Sequence, residues 1–123
     1  MTEQERLHIR AELAQRMGYS QRHTTHLLAA ELAGDWLKSD GSFFDDAPPD
    51  PFTDAADNRA LVAWMATDDE RWERFLDEFQ ITAGWKYWLW QPTLIKVIMT
   101  ASLDTITLAA AKALGIPEVG ERA

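Results

Sequence analysis

Apolar residues recur along this chain at helical spacing in several separate runs, and the polar residues between the runs carry helix start and stop signals. Thr2 with Glu5 forms a capping box, in which two side chains satisfy main-chain N–H groups of a first turn. Leu7, Ala11, Ala14 and Met17 follow at helical spacing, and Gly18 is a natural stop because it tolerates the left-handed conformation. Ser20 is placed to cap a second helix, whose Leu28, Leu32 and Trp36 recur every four residues while Leu27 and Leu37 widen the stripe. Ser39-Asp40-Gly41-Ser42 ends it, so residues 1–38 are expected to form a helical hairpin.

Residues 39–54 break the pattern. Phe43, Phe44, Asp45 and Asp46 precede Pro48, Pro49, Pro51 and Phe52, and the prolines withhold backbone donors and bias their predecessors to extended shapes. A loop of this length is functional or partly mobile, and its phenylalanines are expected to pin both ends. Asp54 or Asp57 then caps a third helix with Leu61, Val62 and Met65 on its buried stripe. Thr67 and Glu70 make a second capping box, and Trp72, Phe75, Leu76 and Phe79 give the clearest helical period in the chain.

Beyond Gly84 the period is ambiguous. Trp85-Lys86-Tyr87-Trp88-Leu89-Trp90 and Leu94-Ile95-Lys96-Val97-Ile98-Met99 are rich in aromatic and β-branched residues and suit a short β-ribbon around 85–99. Pro92 equally suits the first turn of a buried helix. Ser102 or Thr105 starts a last helix through Leu108, Ala111 and Leu114, ended by Gly115 and Pro117, with 118–123 as a tail. The expected fold class is mainly α, a compact single domain over 1–117 of about five helices with a short β-ribbon, α+β being the alternative.

Composition narrows the chemistry. The 123 residues are 46% hydrophobic, enough for a core, and contain no cysteine, which removes disulfides, thiolate catalysis and Cys-based zinc sites. No signal peptide is visible at Met1-Thr2-Glu3-Gln4-Glu5, and no window approaches the roughly 18 uncharged apolar residues of a spanning helix. A soluble, cytoplasmic protein that avoids membranes is expected. The formal charge is −8, and residues 35–80 carry thirteen acids against four bases, a balance of −9, while 1–34 balance to zero and 81–123 to +1. Such a field repels phosphates and attracts basic surfaces. It suits either a solvated face that keeps the protein soluble or a docking surface for a basic host protein, centred on Asp45, Asp46, Asp50, Asp54 and Asp57.

Candidate catalytic groups do not converge. His23 and His26 share a helix face at i, i+3, but a metal site needs three or four ligands and no H-E-x-x-H pattern is present. No nucleophile-elbow glycine pattern surrounds a serine, and no phosphate-cradling loop occurs, so a non-enzyme without cofactor or metal is expected. Residues 13–30 suit a helix-turn-helix: Ala14 at the crossing, Gly18 at the turn, and Ser20 capping a recognition helix that displays Gln21, Arg22, His23, Thr25 and His26. That alternative makes the protein a DNA-binding regulator, against a long-range field that opposes phosphate contact. Alternation over 85–90 would turn Trp88 and Trp90 outward as an apolar patch for a target or a homodimer, with core packing the other reading.

Three segments carry a family resemblance. They are the opening Thr2-Glu3-Gln4-Glu5 helix ending at Gly18-Tyr19; Asp57-Asn58-Arg59-Ala60-Leu61 running into Thr67-Asp68-Asp69-Glu70-Arg71-Trp72-Glu73-Arg74-Phe75-Leu76; and Thr100-Ala101-Ser102 leading to Leu108-Ala109-Ala110-Ala111-Lys112-Ala113-Leu114-Gly115. Together they cover about half the chain, which resembles small bacteriophage and prophage proteins of the phage ABA-sandwich type. The Trp-rich 85–90 stretch and the second helix with its Pro-rich loop depart from that pattern. The resemblance implies no catalytic residues. It implies a phage or prophage origin and the host cytoplasm as location, where small acidic proteins antagonise host machinery. An inhibitor of a host defence complex, like the anti-CRISPR proteins, is the concrete form of the expectation. A phage structural or assembly component is the further alternative.

Overall fold

The computed structural model describes residues 2–22, 35–83 and 91–116. Among them are five helices and three short strands: α1 (Glu3–Arg16), β1 (Ser20–Arg22), β2 (Asp35–Leu37), β3 (Phe43–Asp45), α2 (Ala55–Met65), α3 (Asp69–Thr82), α4 (Gln91–Thr100) and α5 (Leu103–Ala113). The fold is mainly α with a small antiparallel sheet. The elements divide into two compact units, one within Met1–Pro49 and one within Asp50–Pro117.

In the first unit, α1 starts where the sequence says it does: the Thr2 hydroxyl accepts a hydrogen bond from the Glu5 N–H at 3.1 Å. It ends in a Schellman motif, with Tyr19 N–H donating to Ala14 O and Gly18 N–H to Gln15 O. Gly18 adopts φ +99°, and a Cβ there would lie 3.2 Å from the Ser39 Cβ, so conformation and space both call for glycine. Ala11, Ala14 and Trp36 form the buried cluster, with Tyr19 and Phe44 packed on it edge to face at 5.3 Å.

The expected second helix is not formed at either end. Ser20–Arg22 and Asp35–Leu37 are antiparallel strands, with Ser20 opposite Leu37 and Arg22 opposite Asp35. Ser39-Asp40-Gly41-Ser42, read as a helix stop, is a hairpin turn that carries β2 into β3, with Lys38 N–H donating to Ser42 O at 2.8 Å. The physical reason is local. A turn rich in Asp, Gly and Ser next to Trp36, Leu37, Phe43 and Phe44 favours hairpin pairing, and a three-residue strand needs only one inward side chain, here Trp36. Residues 23–34 lie outside the described part.

The Pro-rich stretch is held by polar contacts as much as by phenylalanines. Arg10 donates to the carbonyls of Pro49 at 3.2 Å and Pro48 at 2.6 Å, so prolines that cannot donate serve as acceptors. Phe44 is half-buried and Phe52 is buried, whereas Phe43 is exposed.

In the second unit, α3 packs along α5, and α2 packs on α5 as well. The division of labour follows side-chain size. α3 contributes Phe75, Leu76 and Phe79, while α5 presents Ala109, Ala110, Ala111 and Ala113, so bulky rings meet a helix that allows close approach. Asp54 caps α2 through the Asp57 N–H, and Ser102 caps α5 through the Thr105 N–H. At α3 the cap is Asp68, which accepts from the Arg71 N–H at 2.9 Å, and not the expected Thr67. The Thr67 hydroxyl instead donates to Trp64 O at 2.7 Å. The expected ribbon around 85–99 is overturned over 91–99: Gln91–Thr100 is the helix α4 that Pro92 allows, with Leu94 and Ile98 buried. Residues 84–90 and the tail 118–123 are outside the described part.

Candidate functional site

The carboxylates singled out in the sequence separate into two kinds. Asp50, Asp54 and Asp57 are builders of the α2 N-terminus. Asp50 accepts from Phe52 N–H at 3.1 Å and from the Thr53 hydroxyl at 2.6 Å, while its own N–H donates to Asp57 Oδ2 at 2.8 Å. Asp54 takes the Asp57 N–H at 3.0 Å. Caps and turns of this type hold negative charge where the helix dipole favours it. Asp45 and Asp46, on and just after β3, are exposed, and Asp45 accepts a local bond from the Asp46 N–H at 2.7 Å.

A second acidic surface went unread in the sequence. On α3 the side opposite Phe75, Leu76 and Phe79 carries Glu70, Glu73 and Asp77, all exposed, with Arg74 between them and Ile81 at 61% exposure beyond. The i, i+3, i+7 spacing of these acids is written in the sequence on the polar half of the same amphipathic helix.

Gln21 and Arg22 sit in β1, so the recognition helix expected to start at Ser20 does not start there. His23, Thr25, His26, Trp88 and Trp90 lie outside the described residues. Among the described residues no three metal-ligating side chains come together, and no helix is long and apolar enough to cross a membrane.

A sizeable hollow lies in the second unit. A half-open groove of about 530 Å³ runs between α2 and the α4–α5 corner, lined by Ala55, Val62 and Ala63 on one wall and Ile98, Met99 and Ile106 on the other. Two polar residues reach it, Asn58 and Arg59. Asn58 is buried and engaged: its amide nitrogen donates to Pro51 O, Leu103 O and Thr107 Oγ1 at 3.0 to 3.4 Å, tying the turn before α2 to α5. Arg59 is exposed.

At the junction of α2 and α3, Arg71 stacks 3.8 Å from the Trp64 ring centre and donates to Trp64 O and Thr67 Oγ1. That cation sits on the carbonyl end of α2, where the dipole favours it, so it is structural.

No protein-family model, no curated protein and no solved structure matches the chain.

Proposed function

We propose that this is a non-enzymatic, phage-type interaction protein that docks on the basic surface of a host protein, an inhibitor of a host defence complex being the concrete form. The observation that carries this reading is the placement of acidic side chains at exposed positions. Asp45 and Asp46 in the first unit, and Glu70, Glu73 and Asp77 in the second, are exposed and none of them is an N-cap, although Glu70 lies in the first turn of α3. Acids that merely stabilise helix starts, such as Asp54 and Asp68, are accounted for by the fold, whereas these five of the thirteen acids in 35–80 are displayed, two on the first unit and three on the second. A surface of this kind raises the encounter rate with a basic partner and disfavours nucleic acid and anionic lipid.

The test separates the two kinds of carboxylate. A variant carrying Asp45→Asn, Asp46→Asn, Glu70→Gln, Glu73→Gln and Asp77→Asn keeps every cap and is expected to keep its melting temperature while losing its partner in pull-downs from host lysate. Retention of the same partner at the same affinity would remove the acidic surface from the mechanism.

A further inference from the structure

The groove on the second unit has a chemistry opposite to the acidic surface, and no role in the proposed docking uses it. Its volume of about 530 Å³ is that of a small-molecule site, since ligand clefts span roughly 300–1,000 Å³. Its walls are aliphatic or alanine, with no aromatic ring among the lining residues. Ala55 and Ala63 lie one turn either side of Arg59, and their small side chains are what leave the space open on the α2 wall.

The polar groups at the groove divide sharply. Asn58 is spent on three acceptors within the unit, so it contributes shape and not recognition. Arg59 is the only charged residue of the lining. Within α2 it has Ala55 and Ala56 before it and Val62 and Ala63 after it at the i±3 and i±4 positions, so its own helix offers it no carboxylate. On α4, Lys96 is exposed one turn before Met99, which is 79% exposed at the rim of the groove. The acids adjacent in sequence to lining residues are committed elsewhere: Asp54 accepts from the Asp57 N–H, Asp57 accepts from the Asp50 N–H, and Asp104 is also engaged. A cation beside an aliphatic trough, on a protein whose net charge is −8, is a local exception to the electrostatics of the chain.

We propose that this groove binds a free anionic amphiphile, an aliphatic chain ending in a carboxylate or similar monoanion, with the chain along Val62, Ala63, Ile98 and Met99 and the head on the Arg59 guanidinium. A planar guanidinium matches a carboxylate with two parallel hydrogen bonds, and the apolar walls supply burial for the chain. An exposed methionine at the rim gives a flexible edge that adapts to chain length.

The experiment titrates the full chain with dodecanoate and with dodecanol, followed by the methyl signals of Ala55, Val62, Ala63, Ile98 and Met99. Saturable one-to-one shifts confined to these methyls are expected with dodecanoate. Dodecanol is expected to bind roughly tenfold or more weakly, because it cannot use the charge-assisted pair. Arg59→Gln, an exposed change, should abolish that preference, and Ala63→Trp should block both ligands, while Lys112→Gln, at an exposed position of the otherwise buried or half-buried α5, leaves binding as it was. Equal binding of acid and alcohol, or Arg59→Gln without effect on dodecanoate, overturns the proposal. So does an absence of shifts at these methyls, or binding seen only with phosphatidylglycerol vesicles or only with an acidic amphipathic helical peptide. The acidic variant described above tests the docking reading independently, since none of its five positions lines the groove.

Discussion

Asn58 shows how much one side chain can organise. Its two amide protons are shared among Pro51 O, Leu103 O and Thr107 Oγ1, and the Thr107 hydroxyl in turn donates to Leu103 O at 2.7 Å. Removing the amide takes its donor from the buried Pro51 O while Leu103 O keeps the Thr107 hydroxyl, and a buried acceptor left without a donor costs about 1–3 kcal/mol. Asn58→Leu is therefore expected to lower stability by about that amount in urea denaturation. Asn58→Asp should cost more at neutral pH, because a carboxylate would face carbonyl oxygens, and the deficit should shrink on acidification as a protonated acid regains a donor. A pH-independent deficit would show that volume and not hydrogen bonding sets the cost.

Asp40 supplies a second prediction at the same scale. The Ser42 hydroxyl and N–H donate to its Oδ1 at 2.6 and 2.9 Å, and with the nearby Lys38 charge they hold its carboxyl below the ordinary aspartate value. A depressed folded pKa means that the contribution to stability is complete above the unfolded value and is lost as pH falls through the folded one. Carboxyl titration by NMR should place Asp40 below an ordinary aspartate, and Ser42→Ala should move it back up. Unlike the caps, neither Asn58 nor Asp40 announced its role in the sequence. Asn58 acts through partners as many as 49 positions away, and Asp40 was read as ending a helix when it closes a hairpin.

At the scale of elements, helix ends were the most legible feature. Thr2, Asp54 and Ser102 cap the helices that their positions suggest, and Gly18 and Gly115 each take a positive φ just past a helix. Local chemistry decides these ends, so local sequence reveals them. Gly18→Ala should cost roughly 1–2 kcal/mol, because the left-handed conformation penalises a Cβ and Ser39 stands close. Phe79→Ala in α3 should cost more, about 3–5 kcal/mol, since the ring is fully buried in the unit where α3 packs along α5. Thermal or urea unfolding orders the two, and a Phe79→Ala penalty no larger than that of Gly18→Ala would contradict the packing. Strands were misread because their evidence is non-local. Leu28, Leu32 and Trp36 keep a helical interval, yet Trp36 is buried as the inward residue of a three-residue strand paired on both sides. The run from Leu94 to Met99 failed in the opposite sense. Its β-branched residues suggest a strand, but burial of Leu94 and Ile98 at i, i+4 gives a helix its inner stripe.

For the whole molecule, the proposed docking makes charge the quantity to test. Association of an acidic surface with a basic partner should slow steeply as ionic strength rises, because the Debye length falls from about 10 Å at 0.1 M to about 3 Å at 1 M salt. Measured association rates that do not change between low and high salt would indicate that apolar contacts, and not the exposed acids, drive encounter.

The sequence by itself determined the charge of −8 and its concentration in 35–80, the absence of cysteine chemistry, the mainly helical character, and the ends at Thr2, Gly18, Asp54 and Ser102, since each depends on residues close together in the chain. Only the tertiary structure decided which acids are consumed as caps and which are displayed, that Trp36 lies in a strand, and that Arg59 stands beside an aliphatic groove. Those outcomes depend on which distant segments meet, and pairing and packing between distant segments leave no periodic mark in the residues that take part.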